Sequence, residues 1–222
     1  MTQITVALDS STSSSSAALM IDGVVREARS DQIEGARPGH SSDLMALLEA
    51  LLAEAGIAYA SINTVAVGLG PGTFTGIRIG LSNAIGLSLA TGASLVGVSS
   101  LRALADAALD HNPSVVAMTD ARRGEVFAAA ARSGVPVSDA VAVALDQVTG
   151  LVRPGDTCVG TGATMLRATL ESCGAMVPDD SDPLNFVSAG RIARLASEPD
   201  RRGPEVLPIY VRAPDAVPVS ER

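Results

Sequence analysis

The sequence predicts an α/β protein made of two units of similar plan. Three observations carry this. Hydrophobic residues make up 47% of the 222 positions while aromatics make up 2% and tryptophan is absent, so the core must be packed from Ala, Val, Leu and Ile. Short aliphatic runs with period-2 alternation are interleaved with segments of helical period. In each half, a strand pair joined by a tight turn is followed by a strand, a glycine-rich turn and a helix. The length suits one large domain or two small ones.

The elements follow in order. "ITVALDS" places Ile4, Val6 and Leu8 on one face of a strand ending at Asp9. The serine run from Ser10 to Ser16 is read as a polar turn between strands. "AALMIDGVVREAR" is a hairpin about Asp22-Gly23. The clearest helix is "SSDLMALLEALLAEAG", 41 to 56: Ser41 or Ser42 caps it, Asp43 suits its first turn and Gly56 ends it. Leu44, Leu47, Leu48, Leu51 and Ala55 form one stripe, and the opposite side carries Ala46, Ala50 and Ala53. A helix with so few charges is either covered on both sides or exposes bare alanines; the pattern leaves both readings open. "TVAVGLG" is a buried-type strand, the glycine-rich turn follows, and a helix runs from about Thr75 to Ala90. Gly76, Gly80 and Ala84 recur every four residues on it, leaving a shallow groove for another backbone. "SLVGVSS" is a strand and "SLRALADAALD" a helix.

A composition shift after His111-Asn112-Pro113 marks the second unit. It holds a strand pair about the turn Asp120 to Gly124, a strand and helix joined at Gly160-Thr161-Gly162, and a further helix in "SAGRIARLASE". The proline-rich tail from 204 onward is expected to run extended over the surface.

Composition excludes several chemistries. All sixteen basic residues are arginine, so a Schiff-base lysine, a P-loop lysine and a Ser-Lys dyad are unavailable. A net charge of −8 argues against this chain alone gripping a nucleic-acid backbone, and the scarcity of aromatics argues against a base-stacking platform. Cys158 and Cys173 match no metal or redox spacing and read as reduced, inert thiols. The two histidines, His40 and His111, are far apart and form no HxxxH or HExxH, so no metal site is expected; His40 reads as a cap or surface residue. No signal peptide or membrane span is visible, and the chain reads as soluble and cytoplasmic.

Two stretches carry candidate chemistry. In "GLGPGTFTGIRIG", 68 to 80, the residues Gly70, Gly72 and Thr73 precede a helix N-terminus, where backbone N–H groups and the helix dipole favour an anion. Arg78 stands in the first turn, the wrong end for a cation by dipole logic, so either an anion or a carboxylate of this chain, such as Asp9, is expected beside it. The stretch matches neither GxxxxGK[ST] nor GxGxxG with a downstream acid. In "LDSSTSSSS", Asp9 ends a strand and Ser10, Ser11 and Thr12 offer hydroxyl and N–H donors; this suits a phosphate or a metal-bound water, and equally a locally hydrogen-bonded turn. Arg122 and Arg123 are read either as RNA contacts or as solvated turn residues.

Taken together, "VALDSSTSSSSAAL", "RPGHSSDLMALLEALLAEAG", "GLGPGTFTGIRIG", "LVGVSSLRALA", "TDARRGEVFAA" and "YVRAPDA" resemble the TsaB (YeaZ-type) family in content and order. The resemblance covers most of 3 to 132 and the tail. It implies an actin/Hsp70/sugar-kinase (ASKHA) fold of two RNase H-like lobes, the second reduced. The expected boundaries are 1–102 for the first lobe, 103–205 for the second, and 206–222 for a tail packing back on the first.

The family is a subunit of the bacterial tRNA threonylcarbamoyladenosine machinery. It implies a non-catalytic scaffold for a TsaD-type subunit, which transfers threonylcarbamoyl to N6 of adenosine 37, with a TsaE-type ATPase and tRNA joining through the complex. ATP or ADP is expected only weakly or at the partner interface, and a homodimer is left open for the isolated chain. The implied partner contact uses Leu44, Leu47, Leu48, Leu51 and Leu52 on one helix and Ile77, Gly80, Leu81, Ala84 and Ile85 on the next. Replacing Leu48 or Leu51 by Glu is then expected to abolish association while leaving the lobe folded. Two rival readings are a self-sufficient ASKHA phosphotransferase or ATPase using Asp9 and the glycine turns, and an M22 glycoprotease-like metallopeptidase, for which no metal pair or triad is present.

Overall fold

The computed structural model describes residues 2–31, 40–135, 137–198 and 206–212. Two sheets stand back to back with helices between and outside them. The first has order β3-β2-β1-β4-β5. It is built from β1 (Ile4–Asp9), β2 (Ser14–Ile21), β3 (Val24–Asp31), β4 (Thr64–Gly68) and β5 (Ser94–Val98). The β1-β2-β3 meander is antiparallel and β4 and β5 run parallel to β1, the strand plan expected of an RNase H-like lobe. The second sheet has order β8-β7-β6-β9, from β6 (Ser114–Arg122), β7 (Glu125–Arg132), β8 (Val141–Ala144) and β9 (Thr157–Val159). It repeats the antiparallel pair and the parallel neighbour in shortened form.

Alternation along β1 sorts the first core into two layers. Val6 and Leu8 face α1 (His40–Ala55) and α2 (Phe74–Thr91), which cover one side. Ala7, with Ala18 and Ala66, faces α6 (Ala189–Ala196) on the other. Those alanines give α6 room to lie close to the sheet. A Cβ at Gly190 would press on Val25 and Glu27, and Glu27 accepts the Ala189 N–H at 2.9 Å to cap that helix. In the second sheet, Val115 and Ala117 face α3 (Ser100–Leu109), while Val116 and Met118 face α4 (Thr161–Met165) and α5 (Arg167–Ser172).

Three expectations change here. The polar turn is shorter than read, because Ser14 to Ser16 already belong to β2 and pair with β3. The expected lobe boundary at 102/103 does not follow the packing. The helix α3 starts at Ser100 and packs on β6 and β7, whereas α6, deep in the assigned second lobe, packs on β1 and β2. The helices α3 and α6 also pack on each other, and Arg191 of α6 pairs with Asp106 at 3.1 Å and with Asp110 of the α3 C-terminus. The helical segment after Gly160 is broken at Leu166 into α4 and α5.

Candidate functional site

Asp9 ends β1 and is 1% exposed. Its carboxylate accepts the Ser11 N–H at 3.0 Å, the Ser11 hydroxyl at 2.9 Å and the Ser100 hydroxyl at 2.7 Å. The carboxylate thereby ties the β1–β2 turn to the start of α3, where the chain crosses between sheets. Gly68 has no room for a side chain, because a Cβ there would overlap Asp9. Burial pushes the Asp9 carboxyl up to about 6, partly offset by the hydrogen bonds from Ser100 and Ser11, with Glu27 adding to the rise.

The glycine-rich turn receives this serine turn. Thr73 caps α2 by accepting the Gly76 N–H on its hydroxyl at 3.2 Å, and its own N–H donates to the Ser11 carbonyl at 2.7 Å. The Ser10 hydroxyl donates to the Gly76 carbonyl at 2.9 Å. A Cβ at Gly72 would overlap the Ser11 carbonyl, and one at Gly76 the Ser10 carbonyl. Gly70 adopts φ +87° and donates its N–H to Ser100 at 3.1 Å. The close backbone approach that Gly76 and Gly80 were expected to offer an outside partner is therefore filled by this chain's own Ser10–Ser11 segment.

A narrow cleft of about 60 Å³ separates the two sheets' loops. Ser11, Thr12, Ser13, Gly72 and Thr73 form one wall, and Thr119, Asp120, Arg122 and Thr161 the other. That is space for about two water molecules. Among the described residues the buried Thr119 hydroxyl finds no hydrogen-bond partner. Asp120 donates its N–H to Thr161 at 3.2 Å and pairs with Arg122 at 3.3 Å. Arg122 and Arg123 occupy the exposed β6–β7 turn with φ of 61° and 55°.

Arg78 does not enter the cleft and does not pair with Asp9. It lies exposed, with its guanidinium 3.6 Å from the Phe74 ring centre and Nε donating to the Tyr210 hydroxyl at 3.3 Å. Phe74 and Tyr210 stack with centres 5.6 Å apart.

The helix faces require a larger correction. Leu44, Leu48, Leu51, Leu52, Ile77, Leu81 and Ala84 are at most 7% exposed and fill the core beneath α1 and α2. Leu47 is half-buried against the same core, and Gly80 faces Ser10. The apolar stripe at helical spacing is what the sheet itself needs to cover Val6, Leu8, Val65 and Val67. A Glu at Leu48 or Leu51 would thus unfold the lobe before it tested any partner.

Of the ten residues expected at the contact, Ile85 alone is exposed. It lies on a different face of α2 with Phe74, Ser82, Gly86, Leu89 and Ala90; Leu89 is 81% exposed. A Cβ at Gly86 would meet open space. The isolated fold gains nothing from glycine there, yet a mid-helix glycine costs roughly 0.5–1 kcal/mol relative to alanine. Two grooves flank this face. One of about 610 Å³ runs between Met45, Tyr59, Gly86 and Ala90, and one of about 480 Å³ lies beside Phe74, Arg78 and Asn83. In the sequence, Gly86 and Leu89 already fall off the core stripe.

Among the described residues no three His, Cys, Asp or Glu side chains gather as a metal-sized cluster, and no helix is long and apolar enough to cross a membrane. The side chain of His40 lies outside the described residues. Cys158 is buried, and burial pushes its thiol up to about 12.

Residues 24–167 match the family model described as TsaD: tRNA N6-adenosine threonylcarbamoyltransferase. An uncharacterized protein of Mycobacterium tuberculosis is 34% identical over 182 residues, 82% of this chain and 79% of the relative. The tRNA threonylcarbamoyladenosine biosynthesis protein TsaB of Escherichia coli is 36% identical over 124 residues, 55% of this chain and 52% of that protein. Among solved structures, YeaZ from Pseudomonas aeruginosa superposes with a TM-score of 0.76 at 25% identity, covering 94% of this chain and 99% of that one. The two-lobed ASKHA architecture expected from the sequence is the one found.

Proposed function

The chain belongs to the TsaD family of tRNA N6-adenosine threonylcarbamoyltransferases, and on that footing we propose that it is a TsaB-type subunit of a cytoplasmic tRNA threonylcarbamoyladenosine assembly. It acts as a non-catalytic scaffold for a TsaD-type chain, which carries out the transfer to N6 of adenosine 37. The TsaB and YeaZ likenesses support the role. The observation that carries the scaffold reading is the outer face of α2. Gly86 stands there with no packing need of its own, between Ser82 and Ala90 and beside exposed Ile85 and Leu89. Small residues flanked by aliphatic ones let a second helix approach closely and bury apolar area, worth roughly 25 cal/mol per Å² before entropic costs.

On the same reading the Ser10–Thr12 and Gly70–Thr73 turns are a nucleotide-site scaffold closed on itself. The N–H of Thr73 and the oxygens of Asp9 are taken by groups of this chain. ATP or ADP then binds weakly or at the partner interface. A TsaE-type ATPase and the tRNA join through the TsaD-type chain, and the α2 face supports a homodimer when that chain is absent. The test is reconstitution: tRNA modification by the cognate TsaD-type chain with and without this subunit. Activity that depends on its addition supports the reading. Full activity without it, or Mg-ATP turnover by this chain alone, contradicts it.

A further inference from the structure

The segment 206–212 touches both lobes, and nothing in the proposed function calls for it. Val206 packs on the core beneath α1 and α2. The Ile209 N–H donates to the Leu69 carbonyl at 2.8 Å, just beyond the end of β4. Tyr210 stacks on Phe74 and accepts from Arg78 at the start of α2. Val211, partly buried, packs against the core of the second sheet that holds Leu101 and Phe127. Arg212 pairs with Glu125 and lies 5.9 Å from the Phe127 ring centre.

The anchor points flank the cleft. Leu69 and Phe74 bracket its Gly72–Thr73 wall in sequence, and Glu125 directly follows the turn that begins in its Asp120–Arg122 wall. A few residues of extended chain thus fasten one wall to the other. We propose that 206–212 is a clasp that fixes the angle between the lobes and holds the cleft at its narrow width, with Tyr210 gripping the first lobe and Arg212 the second. The grips of Tyr210 and Arg212 are surface contacts: an aromatic stack with a cation over it, and an ion pair in which both side chains are about one-third exposed. Such contacts are individually worth about 1 kcal/mol, and Val206 and Val211 are only partly buried against the cores they touch, so the clasp is releasable without unfolding either core. Because Tyr210 also continues the exposed edge of α2 at Phe74 and Arg78, the clasp joins the α2 face mechanically to the second lobe.

The test is a spin-label distance measurement on the full chain in solution. Labels are placed at exposed positions on the two lobes by Ser61→Cys and Gln147→Cys, with Cys173→Ser removing the accessible native thiol. The unaltered clasp should give one narrow distance distribution. Tyr210→Ala combined with Arg212→Glu should broaden it and shift it, with the native far-UV circular dichroism retained. Arg212→Glu alone should also broaden it, to a smaller extent, and adding Glu125→Arg in that background should restore the narrow distribution by re-forming the pair with reversed charge. An unchanged distribution in the double variant, or no restoration by the charge swap, overturns the proposal.

Discussion

The Thr73 backbone N–H donates to the Ser11 carbonyl at 2.7 Å, with Gly72 pressed against the same carbonyl. One relationship accounts for most of the glycine-rich stretch. The turn between β4 and α2 is shaped by the turn between β1 and β2 lying in it, and the glycines are where the two backbones meet.

Glycines at 72, 76 and 86 should therefore respond to alanine in opposite senses. Gly72→Ala and Gly76→Ala force a methyl into a backbone carbonyl and should destabilise by about 1–3 kcal/mol. Gly86→Ala places its methyl in open space and should stabilise the isolated chain by roughly 0.5–1 kcal/mol. Urea unfolding of the three variants checks the signs.

The two leucines Leu48 and Leu89 separate the core from the proposed contact face. Leu48 is fully buried, and Leu48→Ala should cost about 2–5 kcal/mol. Leu89→Glu should leave unfolding within about 0.5 kcal/mol of the unaltered chain while abolishing association through α2. Thermal melts and sizing chromatography read the two effects independently.

Asp9 gives a pH dependence of definite sign. Its folded pKa is raised from 3.8 to about 6, so its contribution favours the folded state below pH about 4 and is lost as pH rises through 6. The loss is on the order of 3 kcal/mol as an upper bound. Asp9→Asn keeps an amide within reach of Ser11 and Ser100 and removes the titration. The difference in unfolding free energy between variant and parent should grow in the variant's favour from pH 4 to pH 6.5 and be flat above it. A constant difference over that range counts against the assignment.

The two cysteines should differ in reactivity. Cys158 is buried with a thiol pushed up to about 12, whereas Cys173 is partly accessible. A thiol reagent on the native chain should label Cys173 first, with Cys158 reacting only on unfolding. Mass spectrometry of peptides locates the label.

Much of the fold was legible because it depends on local pattern. The hairpin about Asp22-Gly23, the helix ended by Gly56 at φ +67°, and the strand ending at Asp9 are set by short-range chemistry. What escaped was non-local. Nothing in the periodicity of "SAGRIARLASE" says that α6 returns to the first sheet; that depends on Ala7, Ala18 and Ala66 being small on the facing side. The helical stripe Leu44, Leu48, Leu51 and the row Ile77, Gly80, Ala84 were legible as apolar faces, but a stripe cannot say whether it covers its own sheet or a partner. Burial answers it: the stripe covers its own sheet, whereas Leu89 is exposed and Gly86 has open space beside it. Likewise Arg78 signalled a partner, and that partner proved to be the pair Phe74 and Tyr210, 132 residues of sequence separating the arginine from the tyrosine.

On the proposed function, this chain scaffolds a TsaD-type subunit through the outer face of α2. Sizing chromatography of the cognate TsaD-type chain mixed with either the unaltered protein or Leu89→Glu tests it most directly. The unaltered protein should co-elute with that subunit, and Leu89→Glu should elute separately at an unchanged melting temperature. Undiminished co-elution of Leu89→Glu, or no complex with the unaltered chain, would contradict it.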